Sequence, residues 1–366
     1  MAGVPHVRGG ALPHLPGRLP GVPGHARAPG GRTGRAGLRP RRPGVAGPRH
    51  SHGHRPRRGQ LKKRNDKASP ACEAARVDDP SDALAEHWGL TPTHVTPLGG
   101  GMNSETWLVE HQGSTYVAKA VAGAAVAALR AGTEVATLLA AAGLVTGRPV
   151  PTREGDLVPT GVGLALLEHV PGRGLEGDTD EEQRWIAHTL ADVHTAGDPS
   201  PGPSAATFAP DWLDLEMPGV RAHPWLTRAI TAAREQTRSL ALTWSLLHTD
   251  PVPGAFIHDD RTGITGLIDW AGARRGPVLY DVASAVMYLG GTQHAATFLA
   301  TYAAHGPLGT DEMQHLDTFR RFREAVQGVY FAGRIATDDL TGVADATENT
   351  KGLDDARRRL RDLGPV

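Results

Sequence analysis

Residues 246–270 read LLHTDPVPGAFIHDDRTGITGLIDW. Two short apolar runs, 245–247 and 264–268, lead into the carboxylates Asp250 and Asp269. Between them lie a Pro/Gly loop, Phe256-Ile257, and the turn His258-Asp259-Asp260-Arg261-Thr262-Gly263. Short β-type runs bounded by turn residues read as strands. The stretch is therefore a loop followed by a small hairpin, with one Asp at its entrance and one at its exit. A carboxylate at a strand end can be held rigidly beside a ligand, and a pair of them suits a hydroxyl proton and a metal ion.

Upstream, the chain reads HVTPLGGGMNSETWLVEHQGSTYVAKAV from residue 94. The pattern is a strand, the triplet Gly99, Gly100 and Gly101, a strand over 106–110, a turn at Gln112-Gly113 and a strand over 115–121. Glycines between two strands let backbone N–H groups come close to a phosphate. Lys119 sits inside the last, apolar strand, and a buried ammonium there needs a partner. Residues 124–144 carry Val126, Leu129, Val135, Leu138 and Leu139 on helical spacing. Glu134, in the middle of that helix, is the expected partner of Lys119. A Lys–Glu pair holding an α/β-phosphate belongs to phosphoryl-transfer sites. Taken alone, Lys119 reads as a solvated sheet-edge lysine and Glu134 as a surface acid; the two downstream carboxylates favour the phosphate role.

With these residues together, the chain resembles the aminoglycoside phosphotransferase family of kinase-like enzymes. The family pattern is His-x-Asp-x4-Asn, a hairpin, then an apolar run ending in Ile-Asp. His248, Asp250 and Asp269 match it, and the Asn position falls on Ala255. The resemblance implies an α+β, protein-kinase-like fold of two lobes: a small N-lobe with an antiparallel sheet and one helix, and a mainly helical C-lobe. It implies ATP and Mg²⁺ as cofactors and transfer of the γ-phosphate to a small-molecule hydroxyl. Asp250 would accept or orient the acceptor's proton, Asp269 would bind Mg²⁺, and Lys119 with Glu134 would hold the α/β-phosphates under Gly99, Gly100 and Gly101. His248 and Asp281 would support the catalytic loop, and Glu168, His169 and Val170 would form the hinge that meets adenine. The family's Asn is a second metal ligand, which a methyl group cannot replace. One alternative is compensation by Asp259 or Asp260; another is a nucleotide-binding pseudokinase with little transfer activity.

Two further strands are expected at 148–157 and 161–170, with the lobe boundary after the second. This divides the chain into a tail over 1–77, an N-lobe over 78–170 and a C-lobe over 171–366. A short helix over 80–90 leads into the N-lobe. Thr179-Asp180-Glu181-Glu182 is a capping box opening a helix that ends near Gly197. His194, near its end, reads as structural. Helices follow over 224–242, 277–289, 295–305, 312–336 and 353–363. Acids at Asp211, Asp214, Glu216, Asp338, Asp339, Asp345 and Glu348 would suit a polycationic acceptor such as an aminoglycoside, although acids of this kind more often form a solvated face. Choline, homoserine, fructosamines and macrolides are acceptors on the same architecture.

The chain has 366 residues and zero formal net charge. That balance hides an asymmetry: residues 1–70 hold 16 of the 39 Lys and Arg but only 1 of the 39 acids, so the two parts carry about +15 and −15. The first segment is dominated by Gly, Pro, Arg and His with almost no Ile or aromatic residue, and such a composition cannot offset chain entropy. It is expected to be disordered. It reads as translated sequence upstream of the true start, with Val77 one alternative start. Nucleic-acid binding is expected only through this tail. The single cysteine, Cys72, excludes an internal disulfide, and no Cys/His zinc spacing occurs. No apolar run could span a bilayer. A cytoplasmic monomer or homodimer acting on a small molecule is expected.

Overall fold

A computed structural model describes residues 79–99, 104–204, 208 and 212–364. The basic tail, Gly100, Gly101 and Asp211 lie outside the described residues.

The domain opens on one turn of α-helix, α1 (Ser81–Ala83), that widens into a π-helical turn over Leu84–Trp88. Three strands follow, β1 (His94–Leu98), β2 (Glu105–His111) and β3 (Ser114–Ala120), then the helix α2 (Ala125–Ala141) and β4 (Leu164–Glu168). The sheet is antiparallel throughout, in the order β1-β2-β3-β4. Pro97 is tolerated because β1 is an edge strand. Alternation then sorts the faces. Trp107, Val109, Ala118, Ala120, Leu164 and Leu166 pack with Leu84 and Trp88 of the leading turns. Lys119, one residue out of phase with Ala118, joins the opposite face beside its cross-strand partner Ala165, where Leu129 of α2 also packs.

The strand expected over 148–157 does not form. Pro149 makes an isolated bridge to Leu167, and Val150 N–H bonds Leu166 at 2.8 Å. Pro149 and Pro151 each lack the N–H a longer ladder would need.

After the two-residue β5 (Arg173–Gly174), the chain enters α3 (Asp180–Ala196). Its N-cap is Thr179, whose hydroxyl accepts the Glu182 N–H at 3.2 Å. The Glu182 carboxylate does not complete a reciprocal box. It accepts the N–H groups of Glu176 (3.0 Å) and Gly177 (2.8 Å) and an ion pair from Arg173 (2.6 Å). Gly197 ends α3 with an ordinary φ of −76°, and the left-handed residue is Asp198 at 57°. What Gly197 needs is space, since a Cβ there would lie 2.5 Å from Ser245 Oγ.

The Pro-rich chain after Asp198 supplies β6 (Ser200–Ser204), an edge strand bulged between Pro201 and Ser204. Helix α4 (Pro224–Thr237) leads into β7 (Ala241–Leu247), β8 (Phe256–Asp259), β9 (Ile264–Leu267) and β10 (Arg274–Pro277). These pair as β10-β7-β6 and β5-β8-β9. The C-lobe therefore holds two small sheets beside its helices α5 (Leu279–Tyr288), α6 (Ala296–His305), α7 (Thr310–Met313), α8 (Leu316–Ala336) and α9 (Ala346–Asp362). One apolar core, including Ile186, Leu190, Leu226, Phe256, Phe298 and Phe322, joins the helices to both sheets.

Candidate functional site

The site begins with the catalytic-type loop at the end of β7. Asp281, fully buried in the first turn of α5, accepts the backbone N–H groups of His248 (2.7 Å) and Thr249 (2.8 Å), one on each carboxylate oxygen. His194 of α3, also fully buried, contacts the same carboxylate through Nε2 at 3.2 Å and meets the Tyr302 hydroxyl through Nδ1 at 2.6 Å. Both helices thus brace the loop, and the structural reading of His194 agrees with this geometry. His248 turns its Nε2 to the Ile268 carbonyl at 2.8 Å, so that nitrogen carries the proton. Its ring meets the Trp270 ring edge-on at 4.9 Å. The loop that presents Asp250 is in this way stitched to the residue before Asp269.

Two residues of this region sit in the left-handed backbone region: Thr249 at φ 75° and Asp269 at φ 70°. Aspartate tolerates that conformation better than most residues, whereas a β-branched threonine is disfavoured there. Thr249 is kept there by the Asp281 bond and by its hydroxyl, which donates to the Gly272 carbonyl at 3.0 Å.

Lys119, 9% exposed, bonds its ammonium to Oδ1 of Asp269. The strand lysine and the hairpin-exit carboxylate, from different lobes, therefore meet. Burial raises the Asp269 pKa; Lys119, together with His248 and the Ala271 N–H, overrides that effect and holds it below the ordinary carboxylate value. The expected Lys119–Glu134 pair is absent. Glu134 lies exposed on α2 and makes no hydrogen bond or ion pair among the described residues. The face of α2 that turns inward carries Leu129, Gly132, Thr133, Ala136 and Leu139. Gly132 lets α2 approach the turn after Asp269, because a Cβ there would lie 2.5 Å from the Trp270 carbonyl oxygen. Gly99 has open space around the position of a Cβ.

Asp250 remains largely solvent-open, yet its Oδ1 accepts two donors from the helical lobe. These are the Tyr288 hydroxyl and Nη2 of Arg323, the latter at 2.7 Å. Neither residue stood out in the sequence. Tyr288 ends an apolar helix and Arg323 lies 73 residues beyond Asp250 among other arginines, with no motif to mark either.

Ala255 is buried in a single 3₁₀ turn and belongs to the apolar core. Asp259 and Asp260 do not stand in for an amide at that position. They occupy the turn end of the β8–β9 hairpin, about 10 Å of strand from the end that leads to Asp269. Asp259 accepts the Arg261 N–H at 2.9 Å, and Asp260 faces Arg173 at 3.8 Å.

Much of the acidic set is engaged within the lobe. Glu216 pairs with Arg221 and Asp339 with Arg334 at 3.2 Å, while Asp345 caps α9 and Glu348 accepts the Ala344 N–H at 3.1 Å. A cavity of about 370 Å³ lies elsewhere, between α3, the hairpin and the loop after α2. Its walls include Trp185, Asp192 and Trp270 but none of Lys119, Asp250 or Asp269.

The model of the phosphotransferase enzyme family matches residues 94–316, which include β1 through α7 and every residue of this site except Arg323. The chain belongs to the phosphotransferase enzyme family. Solved structures agree on the fold. Spectinomycin phosphotransferase in complex with ADP and spectinomycin is 13% identical, with 77% of this chain and 97% of that chain covered and a TM-score of 0.56. Choline kinase LicA from Streptococcus pneumoniae is 18% identical, covering 75% and 97%, with a TM-score of 0.55. A thermostable mutant of the aminoglycoside phosphotransferase APH(4)-Ia is 16% identical, covering 78% and 100%, with a TM-score of 0.55. No curated protein sequence matches this phosphotransferase. The two lobes described above are thus the kinase-like α+β fold expected from the sequence.

Among the described residues of this phosphotransferase, no cluster of three or more His, Cys, Asp or Glu could hold a metal alone. Mg²⁺ is commonly bound by one or two carboxylates together with substrate phosphates. Asp269, an open carboxylate beside a lysine, fits as the protein's ligand.

Proposed function

We propose that this chain transfers the γ-phosphate of ATP to a hydroxyl of a small molecule, with Mg²⁺. The observation that carries the reading is the pairing of Lys119 with Asp269 across the lobes, on a loop stitched to the one that presents Asp250. In the reaction the acceptor oxygen forms a bond to the γ-phosphorus, the bond from that phosphorus to the β,γ-bridging oxygen breaks, and ADP leaves. Asp250 accepts the hydroxyl proton and aligns the oxygen in line with the phosphorus. Lys119 holds the α/β-phosphates, with Glu134 as the carboxylate that steadies it once it leaves Asp269. Asp269 ligates Mg²⁺, which when bound neutralises charge on the transferring group. Gly99, Gly100 and Gly101 cover the phosphates.

His169 and Val170 are the proposed adenine contacts. The Glu168 N–H is already bonded to the Arg148 carbonyl at 2.9 Å and is not free for a base. No helix among the described residues is long and apolar enough to cross a membrane, and we place the enzyme in the cytoplasm.

The decisive test is an ATP-consumption screen over small hydroxyl compounds with wild type and Asp250→Ala, beside an ADP thermal-shift assay with and without Mg²⁺. Acceptor-dependent ADP release lost in Asp250→Ala supports the reading. Ala255 favours a second reading, a nucleotide-binding pseudokinase. Binding indifferent to metal, with no product from any acceptor, would establish that one instead.

A further inference from the structure

Asp250 is presented by a loop that does nothing to fix its side chain. Within that loop only its backbone carbonyl is engaged, accepting the Val252 N–H at 2.8 Å. Yet a carboxylate that must meet a hydroxyl in line with a phosphorus has to be held in one orientation. The holding groups come from two helices of the C-lobe, and they are organised around a guanidinium rather than the loop itself.

Arg323 of α8 is 5% exposed. Its Nε donates to the Ser284 hydroxyl at 3.1 Å, and its Nη2 reaches Asp250 Oδ1 at 2.7 Å and the Tyr288 oxygen at 3.1 Å. The Tyr288 hydroxyl in turn donates to the same Oδ1. Burial opposes the charge on Arg323, but an arginine keeps its proton throughout the working range, and the Asp250 carboxylate beside it favours the charged form. Burial, reinforced by Asp250, also raises the Tyr288 phenol well above its ordinary range, so it stays a donor at working pH.

An ordinary stabilising ion pair between exposed groups contributes little. This one is built differently. The cation is sunk in the helical lobe with a fixed fork of donors, while the carboxylate is left open to solvent. Both donors converge on Oδ1, and Oδ2 accepts no bond among the described residues. One oxygen is anchored and the other is presented.

We infer that Arg323 and Tyr288 are positioning residues for phosphoryl transfer: together they anchor Oδ1 of Asp250 so that Oδ2 faces the acceptor hydroxyl. This inference rests on the phosphotransferase reading above and adds to it the source of Asp250's orientation.

The test uses the full chain and an acceptor found by the ATP-consumption screen. Tyr288→Phe, nearly isosteric, and Arg323→Lys, which keeps the charge but loses the fork, are each expected to lower kcat by about tenfold to a hundredfold. KM for ATP and the ADP-induced thermal shift should stay within about twofold and about 1 °C of wild type, because neither residue touches the nucleotide side. In an Asp250→Asn background the same changes should cost less than about twofold, since residues acting as a unit are not additive. A merely structural role would lower thermal stability and cost the same in both backgrounds. Full kcat in Tyr288→Phe and Arg323→Lys, with wild type active, would overturn this inference alone. Absence of transfer by wild type to every acceptor would overturn the phosphotransferase reading and this inference with it.

Discussion

The ammonium of Lys119, in the middle of the N-lobe sheet, is bonded to the carboxylate of Asp269, 150 residues further along at the exit of a C-lobe hairpin. Asp269→Asn removes the charge from one end of that pair. Turnover should fall by at least about a hundredfold, and the Mg²⁺ enhancement of the nucleotide thermal shift should disappear. Parallel thermal-shift titrations of ADP with and without Mg²⁺ check this.

The same pair has an acid-side signature. The Asp269 carboxyl titrates below its ordinary value of 3.8 in the folded chain. A carboxylate with a depressed folded pKa contributes stability that is complete above its unfolded pKa and is lost as pH falls through its folded pKa. The stability gap between wild type and Asp269→Asn should therefore be constant above about pH 5 and close as pH drops toward about 2. Urea denaturation across that range measures it.

Asp281→Ala leaves the N–H groups of His248 and Thr249 without their acceptor. Each buried orphan donor costs about 1–3 kcal/mol, so thermal stability should fall by several degrees. Turnover should fall further than the unfolded fraction explains, because the loop presenting Asp250 loses its anchor. Calorimetry and kcat on the same sample separate the two effects.

Gly132→Ala places a methyl group against the Trp270 carbonyl. Backbone cannot give way as a side-chain tip can, and the expected destabilisation is about 1–3 kcal/mol. Nucleotide affinity should drop with it, since α2 packs on the turn directly after Asp269. Titration calorimetry with ADP reads the second effect.

Glu134→Gln probes the transfer of Lys119 from one carboxylate to another. Glu134 is exposed and unbonded among the described residues, so stability without nucleotide should change by less than about 0.5 kcal/mol. KM for ATP should nevertheless rise by about tenfold or more if Glu134 steadies Lys119 on the phosphates.

Local pattern carried the residues whose signal is local. The His248-x-Asp250 frame, the hairpin and the Ile268-Asp269 exit are contiguous in the chain, and the hairpin formed over Phe256–Asp259 and Ile264–Leu267. Lys119 stood out because a charge inside an apolar strand demands a partner. Which partner it takes is a tertiary fact, and the helical stripe of α2 turned Gly132 inward rather than Glu134. The edge strand β6 was illegible for a related reason. β6 is built from Ser, Pro and Gly, and it exists only because β7 offers an edge. Arg323 and Tyr288 left no trace at all, since nothing in their own helices distinguishes an arginine that meets Asp250 from one that meets water.

Thr249 is wound against its own steric preference, and the left-handed turn persists only while Asp281 and Gly272 grip it. Selection for heat resistance would find an easy gain by relaxing that residue, for example to glycine or asparagine, which tolerate the conformation. A relaxed loop would also be free to wander, and Asp250 would wander with it. Variants of this enzyme chosen for toughness should therefore drift toward sluggishness unless position 249 is held constant during the search.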